Sequence, residues 1–339
     1  MNKTVFLIAE VGQAHEGSLG ILHSYIDAVA STGVDAIKFQ THIAEAESSE
    51  YEPFRVNFSY EDNSRYDYWK RMSFSKEQWA GIKKHCDDAG IEFISSPFSQ
   101  AAVDLLETIG VKRYKVGSGE TTNALLLEKL CGLGKPVILS SGMSSFDELD
   151  TAVKSLQERG IDTTVLQCTT QYPTPPDQLG LNVIGDLRNR YPGATIGLSE
   201  HSGDIYAGLA GVSLGAEVLE FHVTFDKRMF GPDTSSSLTI DRTKDLVNGV
   251  RYIETALKHP VDKSSNAKYG DLKRIFEKSL AVNKDLPKGH RLTVDDLETK
   301  KPRGYGIAAN SFHDVLGKEL NRDLKKYSFL TVDSLQLDE

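Results

Sequence analysis

The stretch ATIGLSEHSGDIYAGLAGVSLGAEVLEFHVT (194–224) contains a short apolar run, a segment with helical spacing and a second apolar run. This order is typical of two parallel strands joined by a crossover helix. A histidine lies at the end of each run, His201 after the first and His222 within the second. Two neutral imidazoles about one β/α unit apart can share a divalent metal. The alternative is that both are ordinary polar loop residues.

The same strand-and-helix unit recurs along the chain. Its short apolar runs are VFLIAE (5–10), DAIKFQ (35–40), EFISS (92–96), KRYKV (112–116), PVILSS (136–141), TVLQCT (164–169), ATIGLS (194–199) and EVLEFHVT (217–224). Helical patterns such as LGILHSYIDAVASTG separate them, and several end in glycine, a common helix stop. Eight repeats predict an α/β protein built on a parallel (β/α)₈ TIM barrel rather than a doubly wound sheet.

The barrel is predicted to occupy residues 1–260. Residues 41–75 separate strand two from its helix with little periodicity, so they are either a functional loop or lid, or a solvated decoration. Residues 261–276 are polar and are expected to form a linker. Residues 277–339 have strand-like runs and turn signals, and predict a small β-rich module with little core of its own. No internal repeat is expected beyond the β/α period.

Composition excludes several classes of protein. The net charge of −9 argues against a nucleic-acid partner, because phosphate backbones attract basic surfaces. The N-terminus lacks a secretory h-region and no stretch approaches the length of a membrane span, so we expect a cytoplasmic enzyme. Cys86, Cys131 and Cys168 show no metal or redox spacing, which favours reduced thiols. Cys168 is interpreted as a core or cavity-wall residue rather than a nucleophile.

Polar residues cluster where the predicted strands end, which is where barrel enzymes place their reactive groups. They include Glu10, Glu16, Lys38, Gln40, Ser96, Lys115, Ser118, Glu120, Ser140, Ser141, Thr170, Tyr172, Ser199 and Asp233. Two inward lysines and several hydroxyls could bind a phosphate and a carboxylate. The alternative is that each lysine extends its ammonium group to the solvent at the surface. The glutamates would transfer protons or hold sugar hydroxyls. Two histidines without cysteine suit Mn²⁺, Mg²⁺ or Co²⁺ at least as well as Zn²⁺.

An ordered set of motifs resembles the sialic acid synthase (N-acetylneuraminate synthase) family. The motifs are IAEVGQAHEG (8–17), IKFQTH (37–42), FISSPFS (93–99), YKVGSGE (114–120), ILSSGM (138–143), QYPTP (171–175), GLSEHSG (197–203) and GPD (231–233). In the tail, LPKGHRLT (286–293) and KKPRGYG (300–306) resemble that family's antifreeze-like (SAF) domain. The resemblance covers about residues 4 to 335.

The resemblance implies condensation of phosphoenolpyruvate (PEP) with an acylamino hexose of the N-acetylmannosamine type. The products are a nine-carbon nonulosonic acid and phosphate. It further implies a domain-swapped homodimer, with the SAF domain capping the partner's site. The implied PEP-binding residues are Lys38, Ser96, Lys115, Ser118, Ser140 or Ser141, and Ser199. The implied metal ligands, usually for Mn²⁺ or Mg²⁺, are His201 and His222. The implied sugar contacts are Glu16, Gln40, Glu120, Tyr172 and Asp233, with Glu16 the first choice for general acid/base work and Glu120 the second.

The sequence departs from this family pattern at the sugar end. Lys301 stands where family members often carry a sugar-binding arginine, and Arg303 follows two residues later. Thr170 stands where asparagine or serine is frequent. A lysine lacks the planar fork of arginine, so either Arg303 replaces it or the sugar substituent differs. Legionaminate or pseudaminate synthesis, another PEP-dependent deoxy sugar acid synthase and a non-catalytic barrel therefore remain alternatives.

Overall fold

Eight parallel strands close into a barrel in the computed structural model, which describes residues 4–56 and 58–336. The strands are β1 Phe6–Glu10, β2 Ala36–Thr41, β3 Glu92–Pro97, β4 Tyr114–Val116, β5 Val137–Ser140, β6 Thr163–Cys168, β7 Thr195–Glu200 and β8 Val218–Thr224. Each strand pairs with the next, and β1 pairs with β8 in parallel with Glu10 opposite His222. A short β9, Leu238–Thr239, adds to the edge of β8. The predicted TIM barrel is confirmed.

Helices follow the strands as the spacing predicts. They are α1 Leu19–Ala30, α2 Ala44–Glu47, α3 Arg65–Met72, α4 Lys76–Asp88, α5 Gln100–Ile109, α6 Ala124–Leu133, α7 Phe146–Gln157, α8 Val183–Arg190, α9 Ile205–Ser213 and α10 Ile240–Lys258. At the start of most of these helices, a side chain accepts a hydrogen bond from a backbone N–H of the first turn. Ser75 and Ser145 each form a complete capping box. Gly110 and Gly134 end α5 and α6 in the left-handed conformation that glycine adopts without strain.

The long segment after β2 differs from its prediction. Its low periodicity predicts irregular chain, but it contains α2 and the two-turn helix α3. Helix α3 buries Tyr68, Trp69 and Met72 in a separate apolar cluster. The residues RYDYWKRM place aromatic groups rather than aliphatic ones on the buried face, and a helix this short shows too few turns for its period to stand out.

The barrel interior is layered because strand side chains alternate with a period of two. Its lower layer is apolar and contains Ile8, Ala36, Ile94, Ile138, Leu166 and Val218. Two residues further along each of these strands the interior residue becomes Glu10, Lys38, Ser96, Ser140, Cys168 and Glu220, all of which line one cavity. On β7 the lower position is Gly197, where a Cβ would lie 2.3 Å from the Val218 carbonyl oxygen. The apolar layer therefore closes the barrel below a polar one.

The chain divides into two units, Met1–His259 and Pro260–Glu339. The predicted linker 261–276 contains a helix, α11 Gly270–Phe276. In the second unit, β10 Ser279–Val282 pairs antiparallel with β11 Leu297–Lys300. The expectation that this unit has little core is wrong, because it buries its own cluster of Leu280, Val282, Leu286, Leu292, Val315, Leu320, Leu324, Leu330 and Leu335.

The C-terminal unit also contains an internal repeat that the sequence analysis missed. Leu286 and Leu324 exchange backbone hydrogen bonds of 2.9 and 2.8 Å. The Asn283 side chain donates to the Asp295 carbonyl at 2.8 Å, and Asn321 donates to the Asp333 carbonyl at 2.9 Å. VNKDLPKGHRLTVDDL (282–297) and LNRDLKKYSFLTVDSL (320–335) are the two copies. The expectation of no further repeat is therefore wrong.

Within the described ranges, every helix is too short or too polar to cross a bilayer.

Candidate active site

A cavity opens at the carboxyl ends of the barrel strands and encloses about 1060 Å³ of empty space, part of it open to solvent. That is enough for small-molecule ligands. The structure brings most of the sequence-predicted residues to its wall, which are Lys38, Gln40, Ser96, Lys115, Ser118, Ser140, Thr170, Tyr172, Ser199, His201, His222 and Asp233. They meet because parallel strands present their carboxyl ends on one face.

The deepest part of the cavity, which we call the charged floor, is formed by Glu10, Lys38, Ser96, Lys115, Ser140, Ser199 and Glu220. Lys38 Nζ lies 2.6 Å from Glu10 Oε2 and 3.8 Å from Glu220 Oε2. Lys115 Nζ lies 3.4 Å from Glu220 Oε1 and donates to Ser140 Oγ at 2.7 Å. All four charged side chains are at most 4% exposed. The two lysines are thus held in place by two carboxylates.

The two lysines differ in electrostatic environment. Burial lowers the pKa of Lys115, and the negative charge of Glu220 opposes this only in part. Burial acts in the same direction on Lys38, but Glu10 and Glu220 outweigh it and raise the Lys38 pKa. Burial would raise the pKa of Glu220, yet Lys115 and Lys38 lower it to about 2. The floor therefore favours ionised Glu220 and protonated Lys38, and Lys115 is the lysine that gains most from a further anion.

The histidine pair lies beside the floor, with ring centroids 5.3 Å apart. Tyr172 packs against both rings, at 4.2 Å from His201 and 5.9 Å from His222. Burial, followed by the charge of His222, lowers the pKa of His201 to about 3, so its imidazole is neutral. His201 Nδ1 lies 3.1 Å from the Thr169 carbonyl oxygen. A proton on Nδ1 satisfies that oxygen and leaves the Nε2 lone pair available.

Carboxylates near the pair are few. Asp233 Oδ2 lies 3.9 Å from His222 Nδ1, and Glu220 lies two residues before His222 on β8. Across residues 4–56 and 58–336, no three His, Cys, Asp or Glu side chains are arranged as a metal-binding group. The donor set is therefore two imidazoles. It fits a divalent ion that takes its other ligands from water and substrate, and it does not fit a closed structural site.

Another part of the cavity wall, which we call the aromatic roof, is formed by residues 52–56 and 58–71. Phe54, Phe58 and Tyr68 lie edge-on to one another, with centroid separations of 6.1 and 5.2 Å. Phe58 also packs 5.5 Å from Phe230 in the loop after β8. Arg55, Arg65 and Trp69 line the cavity as well. Sequence reasoning missed the aromatic residues of the roof, because nothing local to residues 41–75 marks which side chains turn inward.

Arg71 fastens the roof to the loop after β1. Its guanidinium contacts Asp62 at 2.8 Å and Glu16 at 3.0 Å. Burial would raise the Asp62 pKa, but hydrogen bonds from Arg71 and Ser59 lower it overall. Gly17 must approach closely here, since a Cβ would lie 2.4 Å from the Arg71 carbonyl oxygen. The predicted lid is thus tied to the barrel by an ion-pair network.

Three predicted residues of the barrel lie outside the cavity lining. Glu16 is bound by Arg71, and burial raises its pKa against that positive charge. Glu120 accepts a hydrogen bond from Asn123 at 2.7 Å, and burial raises its pKa too. Ser141 contacts the Gln167 side chain at 3.3 Å, which leaves Ser140 as the serine beside Lys115. In the C-terminal unit, Lys301 Nζ lies 5.1 Å from the Phe276 ring centroid and Arg303 pairs with Glu277.

Glu220 is the main site residue that sequence reasoning missed, whereas Glu10 is among the polar residues predicted at the strand ends. Each carries a charge at an inward position of an otherwise apolar strand, two residues beyond an interior apolar residue. That pattern is the same one that identified Lys38 and Lys115. An inward carboxylate was the required partner for each inward lysine, because buried charges are almost always paired.

Comparison with known proteins extends over both units. The NeuB family model matches residues 25–262, and the SAF domain model matches residues 277–336. The N,N'-diacetyllegionaminic acid synthase of Campylobacter jejuni is 33% identical over 96% of this chain and 98% of its own. The human N-acetylneuraminate-9-phosphate synthase is 34% identical over 93% of this chain and 88% of its own. The N-acetylneuraminic acid synthetase of Leptospira borgpetersenii, solved with citrate, superimposes with a TM-score of 0.71 at 29% identity over 80% of this chain and 91% of its own. The chain therefore belongs to the NeuB family and carries a SAF domain.

Proposed function

We propose that this protein condenses phosphoenolpyruvate with an acylamino hexose of the mannosamine type, giving a nine-carbon nonulosonic acid and phosphate. The observation that carries the proposal is the charged floor, where Lys38 and Lys115 converge in one cavity with the histidine pair. Relatives named as synthases of nonulosonic acids, similar over nearly the whole chain, support the same reaction.

The floor accounts for binding of the enolpyruvate. Lys115 and Lys38 bind its phosphate and carboxylate, and the hydroxyls of Ser96, Ser140 and Ser199 complete the contacts. A held PEP presents carbon 3 to the aldehyde, so the attack becomes effectively intramolecular. The new carbon–carbon bond leaves positive charge at carbon 2, where water adds. Phosphate then departs by carbon–oxygen cleavage, and the aldehyde oxygen takes up a proton as the hydroxyl.

The histidine pair accounts for activation of the aldehyde. His201 and His222 would hold a divalent cation, expected to be Mn²⁺ with Mg²⁺ or Co²⁺ as substitutes, through imidazole nitrogens. When bound, the ion supplies Lewis-acid polarisation of the aldehyde oxygen. Tyr172 and the Thr169 carbonyl hold the His201 ring in orientation. Asp233 and Gln40 line the same cavity and would bind sugar hydroxyls.

A 2,4-diacetamido hexose is the second candidate substrate, giving a legionaminic or pseudaminic acid. The relative named for N,N'-diacetyllegionaminic acid, similar over 96% of this chain, favours it. Competition between N-acetylmannosamine and 2,4-diacetamido hexoses in a PEP-dependent phosphate-release assay distinguishes the two. Exclusive turnover of N-acetylmannosamine rules out the second candidate.

The metal assignment is tested with His222→Ala. We expect this variant to fold normally, to lose Mn²⁺ binding measured by calorimetry and to release no phosphate from PEP in the presence of sugar. His290→Ala, in the C-terminal unit, is the matched control and retains both properties. Full activity of chelator-treated His222→Ala contradicts the assignment.

We further propose a cytoplasmic homodimer in which the C-terminal unit caps the partner's cavity. Three unbridged cysteines are consistent with a reducing compartment. Either Lys301 or Arg303 would reach the sugar substituent. Light scattering tests the dimer, and mixing Lys115→Met protein with Arg303→Ala protein tests the exchange. Recovery of activity in the mixture supports a cap supplied in trans, and no recovery with either Arg303→Ala or Lys301→Ala opposes it.

A further inference from the structure

The aromatic roof contains arginines whose charges are already matched by carboxylates. Arg65 Nε lies 3.1 Å from Glu52 Oε1. Glu52 is itself held in place, because its other oxygen accepts a hydrogen bond from Trp69 Nε1 at 3.0 Å and another from Ser48. An anionic ligand could bind Arg65 only by displacing Glu52 from the guanidinium group.

The other two guanidinium groups are bound in the same way. Arg55 lies 2.6 Å from Asp233 Oδ1 and stacks 4.4 Å over the Tyr172 ring. Arg71 is shared between Asp62 and Glu16. In the described structure, the three guanidinium groups of the roof therefore lie within 4 Å of five carboxylates, those of Glu16, Glu52, Glu61, Asp62 and Asp233. The local charge is already negative before a substrate binds.

A terminal phosphate on the sugar would be repelled by the negative charge around the roof. It would bring about two negative charges, and such groups bind where free arginine or lysine donors converge. The floor lysines are committed to PEP under the proposed function. What the roof offers instead is a set of rings, Phe54, Phe58 and Tyr68, whose edges and faces suit an uncharged group.

We infer that this enzyme takes an amino sugar without a phosphate, and that the Arg65–Glu52 and Arg55–Asp233 pairs together with the aromatic roof select it. The inference rests on the proposed function, in which the aldehyde lies at the histidine pair. The rest of the sugar then faces the roof, which lines the same cavity. The role of Glu52 is to withhold the Arg65 guanidinium from an anion, so it is a specificity residue that acts through another side chain.

The test on the unaltered protein compares phosphate release from PEP with N-acetylmannosamine, N-acetylmannosamine 6-phosphate and a 2,4-diacetamido hexose. We expect kcat/KM for at least one unphosphorylated sugar to exceed that for the 6-phosphate by tenfold or more. A higher kcat/KM for the 6-phosphate overturns this inference and leaves the proposed function standing. Phosphate release with none of the sugars overturns the proposed function, and this inference with it.

A variant then tests the role of Glu52. Glu52→Gln frees the Arg65 guanidinium and keeps a hydrogen-bonding side chain of similar size. We expect it to raise kcat/KM for the 6-phosphate about tenfold relative to the unphosphorylated sugar, with KM for PEP unchanged. Glu45→Gln removes the exposed partner of Lys70, 3.9 Å away and outside the cavity, and should leave the ratio unchanged. An unaltered ratio in folded Glu52→Gln overturns the selection by this pair.

Discussion

The charged floor and the aromatic roof enclose the same cavity but are built in different ways. Floor residues are supplied by β1, β2, β3, β4, β5, β7 and β8, and strand register fixes their positions. Roof residues come from one segment, and ion pairs such as Arg71–Asp62 fix their positions. The difference teaches that backbone pairing can hold the floor positions constant in a barrel. The roof positions depend on side-chain ion pairs, so substitutions in one segment can change them without disturbing the strands.

The largest effect on PEP kinetics is expected from removing a floor lysine. Lys115→Met keeps the length of the side chain and deletes its charge. We expect kcat/KM for PEP to fall about 100-fold, equivalent to about 2.7 kcal/mol, because a buried charge-assisted contact to the anion is lost. Lys112→Met, an exposed neighbour just before β4, is the control. Steady-state phosphate release measures both, and near-normal PEP kinetics in Lys115→Met would contradict the division between floor and roof.

The next effect concerns the counter-ion of the floor. Glu220→Gln retains the hydrogen bond with Ser199 but removes the carboxylate that lies 3.4 Å from Lys115 Nζ. We expect unfolding to become easier by about 3 kcal/mol, since a buried charge has lost its partner. We also expect PEP to bind about tenfold more tightly, because it replaces the missing negative charge. Thermal denaturation with and without PEP measures both, with exposed Glu217→Gln as control. Stability equal to wild type would show that the lysines do not need Glu220.

A smaller effect is expected from loosening the roof. Arg71→Gln releases Glu16 and Asp62 together, so the roof loses its attachment to the loop after β1. We expect KM for the amino sugar to rise about threefold to tenfold, while KM for PEP stays constant. Lys70→Gln changes the neighbouring, more exposed cation and is the control. A parallel rise in both KM values would mean that floor and roof are not independent.

The smallest effect is a pH dependence of the roof. The folded-state pKa of Asp62 is lowered, so its stabilising contribution is present above the unfolded pKa and is lost as pH falls through the folded value. We expect wild type to melt a few degrees above Asp62→Asn at pH 7, and the gap to close below about pH 4. Glu61→Gln, whose side chain is 75% exposed, should show little gap at any pH. A difference in melting temperature that does not change with pH would show that the Arg71–Asp62 ion pair is not its cause.

Sequence reasoning recovered the floor more fully than the roof. The eight strands were placed within two residues of their observed ends, because alternation is a local signal. The same alternation identified Lys38, Lys115 and the serines near them, and applied to β8 it would have identified Glu220. Alternation does not extend to Glu16 and Glu120, because residues beyond a strand end no longer follow the pleat, and their assigned roles stay predictions.

The roof and the C-terminal unit were harder for a physical reason. Arg55 meets Asp233 from a distant part of the chain, and nothing near either residue encodes that pairing. In the C-terminal unit, the two copies of the repeat share leucines, Leu286 with Leu324 and Leu292 with Leu330, as well as Asn283 with Asn321. The repeat is therefore readable in the sequence when the two copies are aligned, but it occurs only twice and has neither the helical nor the strand period.

The pairing of β1 with β8 has a consequence for synthesis on the ribosome. During synthesis, β1 cannot complete its hydrogen bonding until β8 has been made, because the two strands pair with Glu10 opposite His222. Until β8 emerges, the nascent chain has open strand edges on β1 and β7, and such edges invite pairing with other chains. Glu220, the single carboxylate within 4 Å of Lys115 in the described structure, arrives on that same strand. Closure of the barrel and pairing of the Lys115 charge therefore occur together, late in synthesis. A translation product that ends before β8 would have neither a closed barrel nor the carboxylate partner of Lys115.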